Sequence, residues 1–156
     1  MKIALVGAEL EENLGIRYIA AALERRGHQA DIIAFNEARD TDAVVRAVVA
    51  TAPDITGLSM VFTARAREFC ALATALREAG YRGHIIGGGP FASFNCERVL
   101  LDFPAFDSIG LGEGEDLMCA LAERLDDVPG VAGLCYRDAR GQPAIHVATG
   151  NPDRLV

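Results

Sequence analysis

The sequence predicts an α/β fold: a doubly wound parallel sheet of five strands covered by helices, with a β-hairpin near the carboxyl end. Three observations carry this expectation. Short runs rich in Ile, Val and Leu show little polar alternation, as strands buried on both faces do. Segments with apolar residues at helical spacing separate these runs, so strand and helix alternate five times. The strands also end in small residues. The sharpest case is Ile85-Ile86-Gly87-Gly88-Gly89-Pro90-Phe91, an apolar run heading into three glycines and a proline.

Lys2 to Val6 reads as the first strand, and Gly7 to Glu12 as a loop. Asn13 suits a helix N-cap, because its side chain can accept from a free backbone N–H of the first turn. Leu14, Ile16, Ile19, Ala20 and Leu23 then follow at helical spacing, and Gly27 stops the helix. Gln29 to Phe35 is the second strand. Thr41 to Thr51 is the second helix, with Val44, Val45 and Val48 inward. Pro53 and Asp54 break the chain before the third strand, Ile55 to Met60. The third helix covers Ala64 to Ala79 and ends at Gly80. The fourth strand is Gly83 to Ile86, followed by a short helix over Ser93 to Leu101. Asp107 to Leu111 is the fifth strand. Gly112-Glu113-Gly114-Glu115 leads into a last helix, Asp116 to Leu125.

Right-handed crossovers make a Rossmann-like, flavodoxin-like sheet of order 2-1-3-4-5 the natural arrangement. Gly133 to Arg137 and Ala144 to Val147 flank a polar turn and read as the hairpin. Residues 1–130 are therefore expected to form one Rossmann-like domain. Residues 131–156 are expected to hold the hairpin and the start of a linker to a missing domain.

The chain of 156 residues suits a single core. Its 15 basic and 22 acidic residues give a net charge of −7, with no basic cluster, which argues against nucleic acid and anionic membranes as partners. No apolar run approaches membrane-spanning length. Cys70, Cys96, Cys119 and Cys135 are widely separated and form no Cys-x-x-Cys pair. Reduced core thiols in a cytoplasmic protein are the expectation.

In an open parallel sheet, ligands bind beyond the carboxyl ends of the strands, where the winding reverses. That rule selects Ala8 to Leu14, the loop from Val61, and the glycine segments Gly87 to Phe91 and Gly112 to Glu115. Glycines there let a ligand approach the backbone closely. The first strand is not followed by Gly-x-Gly-x-x-Gly, and no phosphate loop ends in Gly-Lys-Ser/Thr. Glu9, Glu11 and Glu12 would repel a phosphate at the first helix. His28, His84 and His146 are scattered, no nucleophile lies near a base, and Cys96 is alone. Side chains alone offer no visible catalytic apparatus, which leaves a cofactor site.

Four segments then carry a resemblance. They are Asn13 to Leu23 with Arg26-Gly27-His28, Pro53 to Ser59, Gly88-Gly89-Pro90-Phe91-Ala92-Ser93, and Gly112-Glu113-Gly114-Glu115. Together, in order and spacing, they resemble the cobalamin-binding domains that precede a radical S-adenosylmethionine barrel. The resemblance covers residues 1 to about 137. It implies a corrin ring lying across the carboxyl edge of the sheet and a dimethylbenzimidazole tail in a slot between sheet and helices. From the first loop and helix, the implied cobalamin contacts are Ala8, Glu9, Leu10, Asn13, Leu14 and Gly15. The third strand and its loop add Ser59, Met60, Val61, Phe62 and Thr63. The fourth adds Gly87, Gly88, Gly89, Pro90 and Phe91, and the fifth Gly112, Glu113 and Gly114. Ser59 would hydrogen-bond to the tail, with Val61 and Phe62 as apolar neighbours. Gly88→Val and Gly89→Val are both expected to abolish binding in a folded domain.

Two departures qualify the resemblance. Many cobalamin carriers have Asp-x-His-x-x-Gly in the first loop, and that histidine ligates cobalt from below. With Gly15 as the glycine, Glu12 stands at the histidine position and Leu10 at the aspartate position. The expectation is base-off cobalamin with no histidine below the cobalt, and no metal-ligating residue is assigned. The Cys-x-x-x-Cys-x-x-Cys that binds a 4Fe-4S cluster is also absent. The cluster and S-adenosylmethionine would then belong to a missing domain or a partner, in cis or in trans. The leading expectation is a module that presents methylcobalamin to a separate barrel of a methyltransferase. The alternatives are a free-standing corrinoid carrier or sensor, and a flavodoxin-like domain binding a different nucleotide cofactor.

Overall fold

The computed structural model describes residues 1–147; the start of the linker, expected after the hairpin, lies outside the described residues. The elements run β1 (Lys2–Gly7), α1 (Leu14–Arg25), β2 (Gln29–Ala34), α2 (Thr41–Thr51), β3 (Ile55–Ser59), α3 (Ala66–Glu78) and β4 (His84–Gly88). They continue with α4 (Pro90–Phe94), α5 (Cys96–Asp102), β5 (Ser108–Gly110), α6 (Gly114–Glu123), β6 (Leu134–Arg137) and β7 (Pro143–His146). The strand order is β2-β1-β3-β4-β5-β6-β7. The first five strands are parallel, in the doubly wound order that the sequence predicts.

The expected hairpin forms, and it extends the sheet. β6 pairs antiparallel with β5, placing Cys135 opposite Ile109. The Arg137 guanidinium pins it by donating to the carbonyls of Phe106, Leu100 and Phe103. Leu134 and Cys135 are fully buried, so the hairpin shares the core. Burial pushes the Cys135 thiol up to about 12 and the Cys70 thiol up to about 11, as expected of inert core thiols.

Helices cover both faces. α1 and α6 pack over Ile3, Leu5, Ile55 and Ile86. α2, α3 and α5 pack over Ala4, Val6, Leu58, Ile85 and Ile109. Strand residues alternate between these faces, which is why a period of two decides what reaches the site. At the amino ends of the strands, Arg77 donates to the carbonyls of Ala105, Tyr81 and Gly83 and pairs with Asp107 at 2.5 Å. Asp107 accepts in turn from the Ile85 backbone N–H.

The fourth helix differs from expectation. It starts at Pro90 and breaks at Asn95 into α4 and α5. Proline is well suited to a first helical turn, where its missing N–H costs nothing. The same residue that ends the strand therefore begins the helix. Among the described residues, no helix is long and apolar enough to cross a membrane.

Candidate functional site

The carboxyl ends of β1, β3, β4 and β5 converge under the first turns of α1 and α6. Sheet and helices stand apart there and enclose a slot of about 340 Å³. That volume is within the usual range for small-molecule sites, yet far too small for a whole corrinoid. The floor is built in rows across the sheet. Leu5, Gly57 and Ile86 are register partners and form the deep row. Ser59 and Gly88 pair one step nearer the rim, roughly 7 Å higher at two residues' rise. Gly110 of β5 also lines the slot. Ile16 and Ile19 from α1 form the roof with Leu117 and Met118 from α6. Asn13, Gly15, Val61, Gly89 and Pro90 stand round the mouth, together with Gly112, Glu113, Gly114 and Glu115.

The three consecutive glycines have three separate roles. Gly88 faces the slot, and a Cβ built on it meets nothing within 4 Å. Its missing side chain is part of the slot. Gly87 faces the other side of the sheet, where a Cβ would stand 2.7 Å from Met60 Cε and 2.8 Å from Ile109 Cδ1. Gly89 has φ +93°, and a Cβ would stand 2.8 Å from the Met60 carbonyl oxygen. It makes the turn that lets α4 begin. The expectation for Gly89→Val is thereby corrected: a valine there strains the backbone and cannot report on binding alone. Gly88→Val remains a clean probe.

The first loop is fixed by its own polar groups. Asn13 caps α1, its Oδ1 accepting from the Ile16 N–H at 3.3 Å and its Nδ2 donating to the Ala8 carbonyl at 3.2 Å. The Glu9 N–H donates to Asn36 Oδ1, and its carboxylate pairs with Arg17 at 2.6 Å. Ala8 and Glu9 thus serve the loop and do not line the slot. Leu10 is 74% exposed and Leu14 54%, both on the outer rim. Of the β3 segment, Ser59 and Val61 line the slot; Phe62 and Thr63 are exposed beside it. Met60 is buried on the opposite face, against Gly87, so its side chain is withdrawn from the expected contacts. Phe91 packs against that same core. The Ser93 hydroxyl donates to the Gly110 carbonyl and holds α4 against β5.

Several lining residues escape a reading confined to loops: Leu5, Gly57, Ile86 and Gly110 in the strands, and Ile16, Ile19, Leu117 and Met118 in the helices. Parity would have found the strand set, because Gly57 shares a face with Ser59. An isolated glycine inside a strand marks a close approach.

The histidines all lie away from the slot. His28 sits beside the amino-terminal nitrogen of Met1. His84 opens β4 with its Nε2 2.7 Å from Ser108 Oγ, and His146 is on β7 with Nδ1 2.9 Å from the Pro129 carbonyl. Among the described residues, no group of three or more His, Cys, Asp or Glu could hold a metal. A larger groove of about 630 Å³, lined by Asp54, Tyr81, His84 and Asp107, opens at the amino ends of the strands. That is the wrong edge of a parallel sheet for its usual ligands.

An α/β sheet with a slot at its switch point defines a class of cofactor-holding domains. The model of the B12 binding domain matches residues 3–122. The chain belongs to this family, and the cofactor supported is cobalamin. Uncharacterized methyltransferase PH0819 of Pyrococcus horikoshii is 25% identical over 129 residues, 80% of this chain and 28% of that protein. The fold is similar to that of part of the cobalamin-dependent S-adenosylmethionine radical enzyme OxsB, with TM-score 0.79 and 23% identity over 96% of this chain and 22% of that one. It is also similar to the methanol:cobalamin methyltransferase complex MtaBC of Methanosarcina barkeri, with TM-score 0.62 and 15% identity over 79% of this chain and 46% of that one. A cobalamin-binding protein of Desulfitobacterium hafniense gives TM-score 0.62 and 23% identity over 79% of this chain and 58% of that one. The chain thus spans about a quarter of the length of PH0819 and of OxsB.

Proposed function

We propose that this chain is the cobalamin-binding module of a radical S-adenosylmethionine enzyme, a methyltransferase, whose catalytic barrel lies in cis or in trans. The single observation that carries the cofactor reading is the bare Gly88 floor, a space that a Cβ would fill and that a flat appendage fits. The corrin would rest on the rim, over Gly89, Pro90 and Gly112. The nucleotide tail would enter the slot beside Ser59, with Val61 and Phe62 as apolar neighbours. Bound cobalamin supplies a cobalt-borne methyl group; the residues of this chain hold and orient the ring. The likeness to OxsB and the name of PH0819 support the partner and the reaction class.

The proposed lower face of cobalt is free of protein nitrogen. Glu12 replaces the histidine and is exposed, and the three histidines sit elsewhere. Residues 1–130 would hold the cofactor, and 131–156 would lead toward the barrel. Electron paramagnetic resonance of the cobalt(II) form tests the ligand directly. The expected spectrum has no nitrogen splitting; a nitrogen triplet would overturn the base-off, histidine-free reading. The Desulfitobacterium likeness supports a second reading, a free-standing carrier. An open reading frame that continues into a cysteine triplet would decide against it.

A further inference from the structure

We infer that the slot selects corrinoids by the polarity of their tail, accepting benzimidazole or phenolic bases and rejecting adenine-type purines. This rests on the cobalamin reading above. The deep row is Leu5, Gly57 and Ile86, closed from above by Met118, whose Cε would lie 3.6 Å from a Cβ on Gly57. Nothing in that row can donate or accept through a side chain.

The polar groups nearby are already used or lie at the mouth. Both ends of the Asn13 amide are engaged, by Ile16 N–H and by the Ala8 carbonyl. The Gly110 carbonyl accepts from Ser93, and the Gly88 carbonyl from the Met60 N–H. Glu113, at the N-cap of α6, and Glu115, in its first turn, stand where the mouth opens. Inside, Ser59 alone offers a hydroxyl.

An adenine ring carries an amino group and several ring nitrogens. One hydroxyl satisfies one of them, and the rest would be buried unpaired, which is costly. A dimethylbenzimidazole or a cresol turns hydrocarbon toward Leu5, Ile86 and Met118 and loses little. An unmet buried polar group weakens binding by about tenfold or more.

The test measures dissociation constants of the purified chain by equilibrium dialysis for four corrinoids. These carry a dimethylbenzimidazolyl, a cresolyl or an adeninyl tail, or no nucleotide tail. The cresolyl form, which has no base to release from cobalt, should bind at least as tightly as the dimethylbenzimidazolyl form, with the adeninyl form at least about tenfold weaker than either. In Met118→Gln, which adds an amide over the deep row, that gap should shrink; circular dichroism confirms that the variant is folded. An adeninyl form that binds equally well or better overturns the selectivity and leaves the cobalamin reading intact. Equal binding of all four places the tail outside the slot and also overturns it. If none binds, the cobalamin reading falls and the inference falls with it.

Discussion

Ser59 and Gly88 are register partners on β3 and β4, so one hydroxyl and one bare backbone face the same slot side by side. Everything proposed for the site depends on that pairing. The hydroxyl gives the floor its one polar side chain, and the glycine gives it depth.

Gly88→Val should therefore fill the slot and leave the fold intact. Corrinoid retention is expected to fall by more than about tenfold while the melting temperature changes little. Gly89→Val should instead lower the melting temperature, because φ +93° excludes a branched side chain. Unimpaired binding by a folded Gly88→Val would place the tail elsewhere.

Asn13 holds the first loop to α1 through two hydrogen bonds. Asn13→Ala should cost about 1 kcal/mol in urea unfolding, as the loss of an N-cap does. It should also weaken corrinoid binding, since Asn13 itself stands at the mouth of the slot.

The order of the parallel strands was legible because Val, Ile and Leu runs alternate with amphipathic segments, and crossover handedness leaves few arrangements. The rim was legible from its glycines. The slot walls were not, because Leu5, Ile86 and Met118 look like any core residues until the register aligns them. Met60 shows the converse: it sits in the same segment as Ser59, with its side chain on the opposite face of the sheet. The hairpin was visible as a hairpin, but its docking on β5 depends on Arg137 reaching carbonyls 31 to 37 residues away.

Arg137→Ala should thus strand those carbonyls. A loss of about 1–3 kcal/mol is expected, with faster hydrogen exchange confined to β6 and β7. Unchanged exchange there would show that strand pairing alone docks the hairpin.

His84 gives a pH dependence with a definite sign. Burial lowers its pKa from 6.5, Arg77 lowers it further, and Asp107 opposes both. The folded chain therefore keeps His84 neutral where the unfolded chain takes up a proton. Its contribution to stability is complete above about 6.5 and is lost as pH falls toward the lower folded value. Thermal melts from about pH 7 down to about pH 5 should show a steeper decline for the wild type than for His84→Gln. Parallel declines would show that other groups govern acid sensitivity.

The most direct measurement of the central claim is an absorbance titration of the chain with hydroxocobalamin and methylcobalamin, followed by desalting. The account predicts a change to the base-off spectrum and corrinoid retained in the protein fraction, both lost in Gly88→Val. A spectrum identical to that of free cobalamin, with no corrinoid retained, would contradict it.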